Sequence, residues 1–308
     1  MSIVQSTIER LKSARAAEIA RQGEARNVPS HKVVARAVAD PVPAAPVVEL
    51  PAPILWPASK DPPIPVDAHR LREAGLYASP DFVRRQQEDY RALRREVIAA
   101  TRQRPAPEAP PIGPIVAVTS ALPGEGKSYT AVNLALSVAS EGIHEVLLID
   151  ADTVRRRTTE ALQLSAAPGL LELLAKPART FAEYVHSTTI EHLKVLPAGQ
   201  RFEGASDLFS LGRVGPLFAA ISAAMQNHIV IVDTPPILLS SDTPVVTDCA
   251  GQVLLVVRAG VTLQDSVKDA ASRINSSVPV GVVLNDWNPV LPSERRAYRG
   301  YEGYEKLS

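Results

Sequence analysis

Ile115-Val-Ala-Val-Thr-Ser-Ala-Leu-Pro-Gly-Glu-Gly-Lys-Ser-Tyr-Thr-Ala-Val-Asn-Leu-Ala-Leu-Ser-Val138 is the stretch that decides the fold. The apolar run 115–118 reads as a strand, 121–128 as a phosphate loop, and 129–138 as the helix that follows. Glycines let successive backbone N–H groups turn inward around a phosphate, and the following helix adds the positive end of its dipole at the same point. In that arrangement Lys127 reaches the β- and γ-phosphates and Ser128 lies on Mg²⁺. The loop residues expected to hold a nucleotide are Pro123, Gly124, Glu125, Gly126, Lys127, Ser128 and Tyr129. The strict pattern asks for glycine where this chain has Ala121, a departure of one methyl group, while Gly124 and Gly126 are in place. An ordinary solvent-exposed Gly/Pro turn would not account for Gly-Lys-Ser falling on a strand-to-helix junction.

Working outward, the runs 146–149, 193–196, 229–232, 253–257 and 278–284 are short, apolar and β-branched, with helix-like segments such as 214–226 and 263–274 between most of them. Continuous apolar strands alternating with helices predict an α/β fold, a P-loop NTPase-like, mostly parallel sheet with helices on both faces. Ligands gather at the carboxyl ends of such strands, so an acid that ends a strand is a candidate for chemistry. Two strands end that way, in Asp150-Ala-Asp152 and in Asp233-Thr-Pro-Pro236. Together with Ser128 these place three carboxylates around one Mg²⁺, with Ser128, Asp152 and Asp233 as the metal residues, Asp233 acting through water. Asp150 is the expected proton acceptor for an incoming hydroxyl, and Lys127, Asp150 and Asp152 are the expected catalytic residues, because phosphoryl transfer needs positioning and charge neutralisation above all.

The chain has 308 residues, room for one large α/β domain with appendages. Its 33 basic and 33 acidic side chains cancel, so no strong field points to nucleic acid as a partner. A single cysteine, Cys249, excludes an intramolecular disulfide and a cysteine-rich zinc site. No apolar stretch approaches the roughly 20 residues that span a bilayer. Glu9, Arg10 and Lys12 stand where a signal peptide has its apolar region, and a cytoplasmic protein is expected.

Within residues 1–26, Val4, Ile8, Leu11 and Ile19 share one helical face while Glu9, Arg10, Lys12 and Glu18 lie off it, which predicts a short amphipathic helix that docks on a partner or lies on the surface. Ten of the forty residues from 27 to 66 are proline, which predicts a disordered or extended tether. Residues 67–308 form the P-loop domain, opening with a helix from Pro80 that carries Val83, Tyr90, Leu93 and Val97.

Taken together, the blocks 123–128, 147–152 and 231–236, with echoes at 168–174, 196–199 and 256–262, resemble the bacterial tyrosine kinases, P-loop autokinases of polysaccharide export, over about residues 80–308. Glu88, Arg91 and Arg94 are similar to the family's Glu-x-x-Arg-x-x-Arg element, through which members pack into rings. The soluble subgroup associated with exosortase systems is similar in having a short charged helix, a variable tether and glycine-spaced tyrosines. Here Tyr298, Tyr301 and Tyr304 lie in a tail of about 290–308.

The resemblance implies ATP and Mg²⁺ as cofactors, autophosphorylation of the tail between subunits of a ring-like homo-oligomer, and control of exopolysaccharide assembly. It also implies a membrane-embedded chain-length (co-polymerase) partner that recruits the chain to the inner face of the cell membrane. Asn285 resembles the position at which related ATPases touch the base. One departure stands out: after Asp-x-Asp the family has a residue, then Arg, a second basic residue and Pro, whereas this chain has Thr153-Val154-Arg155-Arg156. Two other classes share the pattern. Deviant ATPases that position septa or plasmids carry a lysine where this chain has Leu122, and a nucleotide-binding pseudokinase scaffold would keep the loop without the transfer.

Overall fold

The computed structural model describes residues 62–102, 113–175, 181–205, 207–210, 212–224 and 227–286. The helix expected at 1–26, most of the tether and the tyrosine tail lie outside the described residues. Six strands coincide with the apolar runs: β1 (Ile115–Ser120), β2 (Glu145–Asp150), β4 (Leu193–Leu196), β5 (His228–Asp233), β6 (Gln252–Arg258) and β7 (Val280–Asn285). The remaining one, β3 (His186–Ser187), is too short to leave a periodic signal. They form one sheet in the order β3-β4-β2-β5-β1-β6-β7, parallel throughout except that β3 runs antiparallel to β4.

Side chains alternate across the sheet, yet both faces are covered, which is why the strands show no polar alternation. Val116, Val118, Val146 and Leu148 join a core with the helices α1 (Ala68–Glu73), α2 (Val83–Thr101), α3 (Lys127–Ala139) and α4 (Arg157–Ala161). Ile115, Ala117, Leu147 and Ile149 face the other way, against α5 (Leu170–Ala175), α6 (Asp207–Ser210), α7 (Val214–Ala224), α8 (Asp242–Asp248) and α9 (Gln264–Ser272). Each fully buried valine or leucine contributes about 1.5–3 kcal/mol relative to exposure. β1 lies between β5 and β6, and the chain leaves it towards β2 on one side and reaches β6 on the other. The direction of winding therefore reverses at β1, and its carboxyl end opens into the crevice where α/β sheets take their ligands.

The end of the expected tether is part of this fold. Ile64 N–H donates to the Ser187 carbonyl at 2.8 Å, Thr189 N–H donates to the Ile64 carbonyl at 2.9 Å, and Val66 N–H donates to the Thr189 hydroxyl at 3.0 Å. Pro63 and Pro65 have no N–H to give, but Ile64 and Val66 between and after them do, and those two donors face the sheet edge beside β3. The alternation that reads as a tether is also the pattern of an edge strap.

Candidate functional site

The phosphate loop stands at the end of β1 as its sequence requires. Gly124 and Gly126 have φ of +84° and +97°, the left-handed region that glycine enters without penalty. Ala121 is fully buried in the core and does not have positive φ, so its extra methyl group is packed rather than strained. Gly126 caps α3, and the Thr130 N–H closes the first helical turn on its carbonyl at 2.8 Å. Beside the loop is a cleft of about 920 Å³, bordered by Gly124, Lys127, Ser128, Tyr129, Arg155 and Asn285 on one side and by α2 on the other.

Lys127, Ser128 and the three strand-end acids come together here, all of them buried. Lys127 Nζ donates to Asp152 Oδ2 at 2.7 Å and to the Ser128 hydroxyl at 3.2 Å. Asp152 Oδ1 accepts from the Arg155 N–H at 3.1 Å. Asp150 and Asp233 are register partners at the ends of β2 and β5.

The environments of the three acids differ. Asp150 Oδ2 accepts from both the N–H (2.9 Å) and the hydroxyl (2.7 Å) of Thr159, and its Oδ1 accepts from the Asp152 N–H at 3.1 Å. Asp233 Oδ2 accepts from the Thr158 hydroxyl at 3.0 Å, whereas its Oδ1 is buried and has no partner. Among the described residues no group of three or more acid, histidine or thiol side chains is gathered as a metal cage. A cation here would take much of its shell from phosphate and water, as Mg²⁺ does, and the orphaned Asp233 oxygen suits that shell.

Burial pushes the Asp150 carboxyl up to about 7, helped by the neighbouring Asp233 charge and opposed by the Thr159 hydrogen bonds. Asp233 is also raised, by burial first, with Lys127, Ser128 and Thr158 pulling it back. Folded Asp150 therefore holds its proton more tightly than the unfolded chain, whose value is near 3.8, so its contribution to stability is present at low pH and is lost as pH rises through about 7. Thermal melts of the ligand-free protein from pH 4 to 8 should show wild type losing ground steadily to Asp150→Asn. Parallel melting curves would contradict the raised carboxyl.

Three other expected site residues have partners within the chain that their local sequence does not announce. Glu125 turns inward: its carboxylate accepts from the Leu122 N–H at 2.8 Å and from the Thr262 hydroxyl, bracing the loop from inside rather than meeting a nucleotide with its side chain. Arg94 is occupied within its own chain, donating to the Ser137 carbonyl at 2.7 Å and to Glu141 at 3.2 Å, which leaves Glu88 and Arg91 as the exposed members of that helix face. Asn285 donates from its amide to the Glu125 carbonyl at 3.0 Å and lies directly over Gly126. Pro123 is exposed at the tip of the loop.

Thr158, Thr159 and Thr262 are the residues that sequence reasoning missed. Thr262 closes the 256–262 block, but nothing in its local pattern says that its hydroxyl reaches residue 125.

Residues 113–275 match the family model described as AAA domain. The tyrosine-protein kinase YwqD of Bacillus subtilis is 35% identical over 173 residues, covering 55% of this chain and 71% of that protein. The chain belongs to the bacterial tyrosine-protein kinases. The tyrosine-protein kinase wzc of Salmonella typhimurium is 33% identical over 192 residues, 62% of this chain but only 25% of that longer protein. Among solved structures, the kinase domain of the Escherichia coli tyrosine kinase ETK aligns with a TM-score of 0.56 at 27% identity, over 67% of this chain and 78% of that one. Membership of this kinase family brings nucleotide binding with it and places the chain among enzymes. Among the described residues of the kinase no helix is long and apolar enough to cross a membrane.

Proposed function

We propose that the chain binds ATP with Mg²⁺ at the end of β1 and transfers the γ-phosphoryl group to Tyr298, Tyr301 and Tyr304 of another copy, as an autokinase that regulates exopolysaccharide assembly. The observation that carries this reading is the buried meeting of Lys127 with Ser128 and Asp152, beside an Asp233 carboxylate that keeps one oxygen free of hydrogen bonds. When bound, Mg²⁺ neutralises charge between the phosphates.

The residues divide the remaining work. The Gly124 to Ser128 backbone cradles the phosphates, and Lys127 exchanges Asp152 for them. Ser128, Asp152 and Asp233 are the residues that would hold the metal. Asp150 accepts the tyrosine hydroxyl proton, a role that suits a carboxyl held up to about 7. Arg155 supplies the cation for which the family uses the position of Val154. Arg155 and Arg157 both border the cleft, but Arg157 is engaged with the Ala74 carbonyl, as Arg156 is with the Ser165 carbonyl. Asn285 and the Arg258–Asp286 ion pair lie at the end of the cleft suited to the base.

Glu88 and Arg91 are the groups available for contacts between copies in a ring, and a membrane-embedded co-polymerase is the partner that would hold the kinase at the inner face of the membrane. Phosphates on several tails, each about −1.5 to −2 charges, would repel within such a ring and favour its dissociation. Purified protein with ATP and Mg²⁺, alone and with the partner's cytoplasmic segment, should gain phosphate on tail tyrosines. Tyr298→Phe, Tyr301→Phe and Tyr304→Phe combined should remove most of it. Phosphate release without protein labelling would point to an ATPase instead.

A further inference from the structure

Two adjacent threonines of α4, both fully buried, divide the strand-end acids between them. Successive helical side chains point about 100° apart, so neighbouring residues fan out to neighbouring strands. Thr159 goes to Asp150 and spends both its donors there. Its hydroxyl oxygen accepts from the Ala198 N–H at 2.9 Å, which leaves the hydroxyl proton for Asp150. Thr158 goes to Asp233 and satisfies only Oδ2, at 3.0 Å. No hydrogen bond of regular geometry reaches the other oxygen, Oδ1, which is buried, although the Ser128 hydroxyl is near enough to this carboxylate to favour its charged form. Such an atom is costly to leave bare, and an acid with one oxygen anchored and the other free is arranged for a ligand.

We propose that Thr158 is a positioning residue of the metal site: by holding Asp233 Oδ2 it turns Oδ1 towards the shell of the Mg²⁺ that accompanies the nucleotide. The assignment rests on the ATP–Mg²⁺ reading above and adds to it a residue outside the three nucleotide motifs. A threonine placed only to fill space would serve equally well as valine. One placed to aim a carboxylate would not, because valine keeps the shape and loses the hydrogen bond. The anchoring also explains why the two acids act differently although they are equivalent in the sheet: Thr159 gives Asp150 two hydrogen bonds, and Thr158 gives Asp233 one.

The test measures binding rather than turnover. Affinity of the full chain for a fluorescent ADP analogue is determined in Mg²⁺ and in EDTA for wild type, Thr158→Val and Thr158→Ser, with thermal melts to verify folding. Thr158→Val should lose about tenfold of the Mg²⁺-dependent gain in affinity while binding normally in EDTA. Thr158→Ser should recover most of that gain, and Thr158→Ala takes the place of valine if the latter does not fold. A valine variant with the full Mg²⁺ gain overturns the proposal, as does a serine variant no better than valine, or an equal loss with and without the metal. A wild-type protein that binds the analogue without any gain from Mg²⁺ removes the metal reading itself, which separates that failure from failure of the Thr158 assignment.

Discussion

Lys127→Ala should lower the rate of tail phosphorylation by about two to three orders of magnitude, the usual effect of removing a preorganised charge from a phosphoryl-transfer site. It should also destabilise the ligand-free protein, for a separate reason. Nζ lies 2.7 Å from Asp152 Oδ2, and the two side chains are only 9% and 3% exposed, so the substitution strands a carboxylate that water cannot reach. Breaking a buried pair from one side costs about 3–5 kcal/mol. The two effects come apart in the double variant Lys127→Ala with Asp152→Asn, which removes the stranded charge. Denaturant midpoints should recover much of the lost stability, a positive coupling in the double-mutant cycle, while phosphotyrosine signal stays at background. If Lys127→Ala alone phosphorylates its tail within a few fold of wild type, the lysine has no catalytic part.

Gly126→Ala should weaken nucleotide binding about a hundredfold, and Gly124→Ala only about tenfold, because the first meets two penalties and the second one. Both positions have positive φ, which an L-residue adopts at a cost. At Gly124 a β-carbon would find open space. At Gly126 it would lie 2.0 Å from Asn285 Nδ2 and 3.0 Å from Asn285 Cγ. The amide would have to swing away and give up its hydrogen bond to the Glu125 carbonyl, which ties the end of β7 to the loop. Adding Asn285→Ala to Gly126→Ala should therefore restore part of the affinity, while the backbone cost persists. Calorimetry with ADP measures all four proteins, and equal losses at the two glycines would show that Asn285 does not constrain the loop.

The sheet was legible because its central strands are buried on both faces, so runs such as 146–149 and 229–232 are apolar without interruption and end abruptly in acid. Residues 64–66 and β3 were not, since an edge strap between prolines and a two-residue strand leave no period to find. The site was legible as a list of residue types at strand ends. Lys127, Ser128, Asp150, Asp152 and Asp233 do gather as that list implies, but the partners of their oxygens did not follow from it. Glu125 and Arg94 carry charge in motif positions, and each is held by a contact to a distant part of the chain, Thr262 for one and Ser137 with Glu141 for the other.

By itself the sequence determined that a phosphate loop follows a central strand, that acids end two others, and that the architecture is a doubly covered parallel sheet. These are properties of short windows, set by side-chain periodicity and by the backbone freedom of glycine. Only the tertiary structure decided which acid oxygens are taken and which is free, because the groups that take them, Thr158 for Asp233 and Thr159 for Asp150, lie 75 and 9 residues away and meet them through the packing of α4 on the sheet. A hydroxyl has no pattern of its own in a sequence; its role is set by the carboxylate that the fold brings within 3 Å of it.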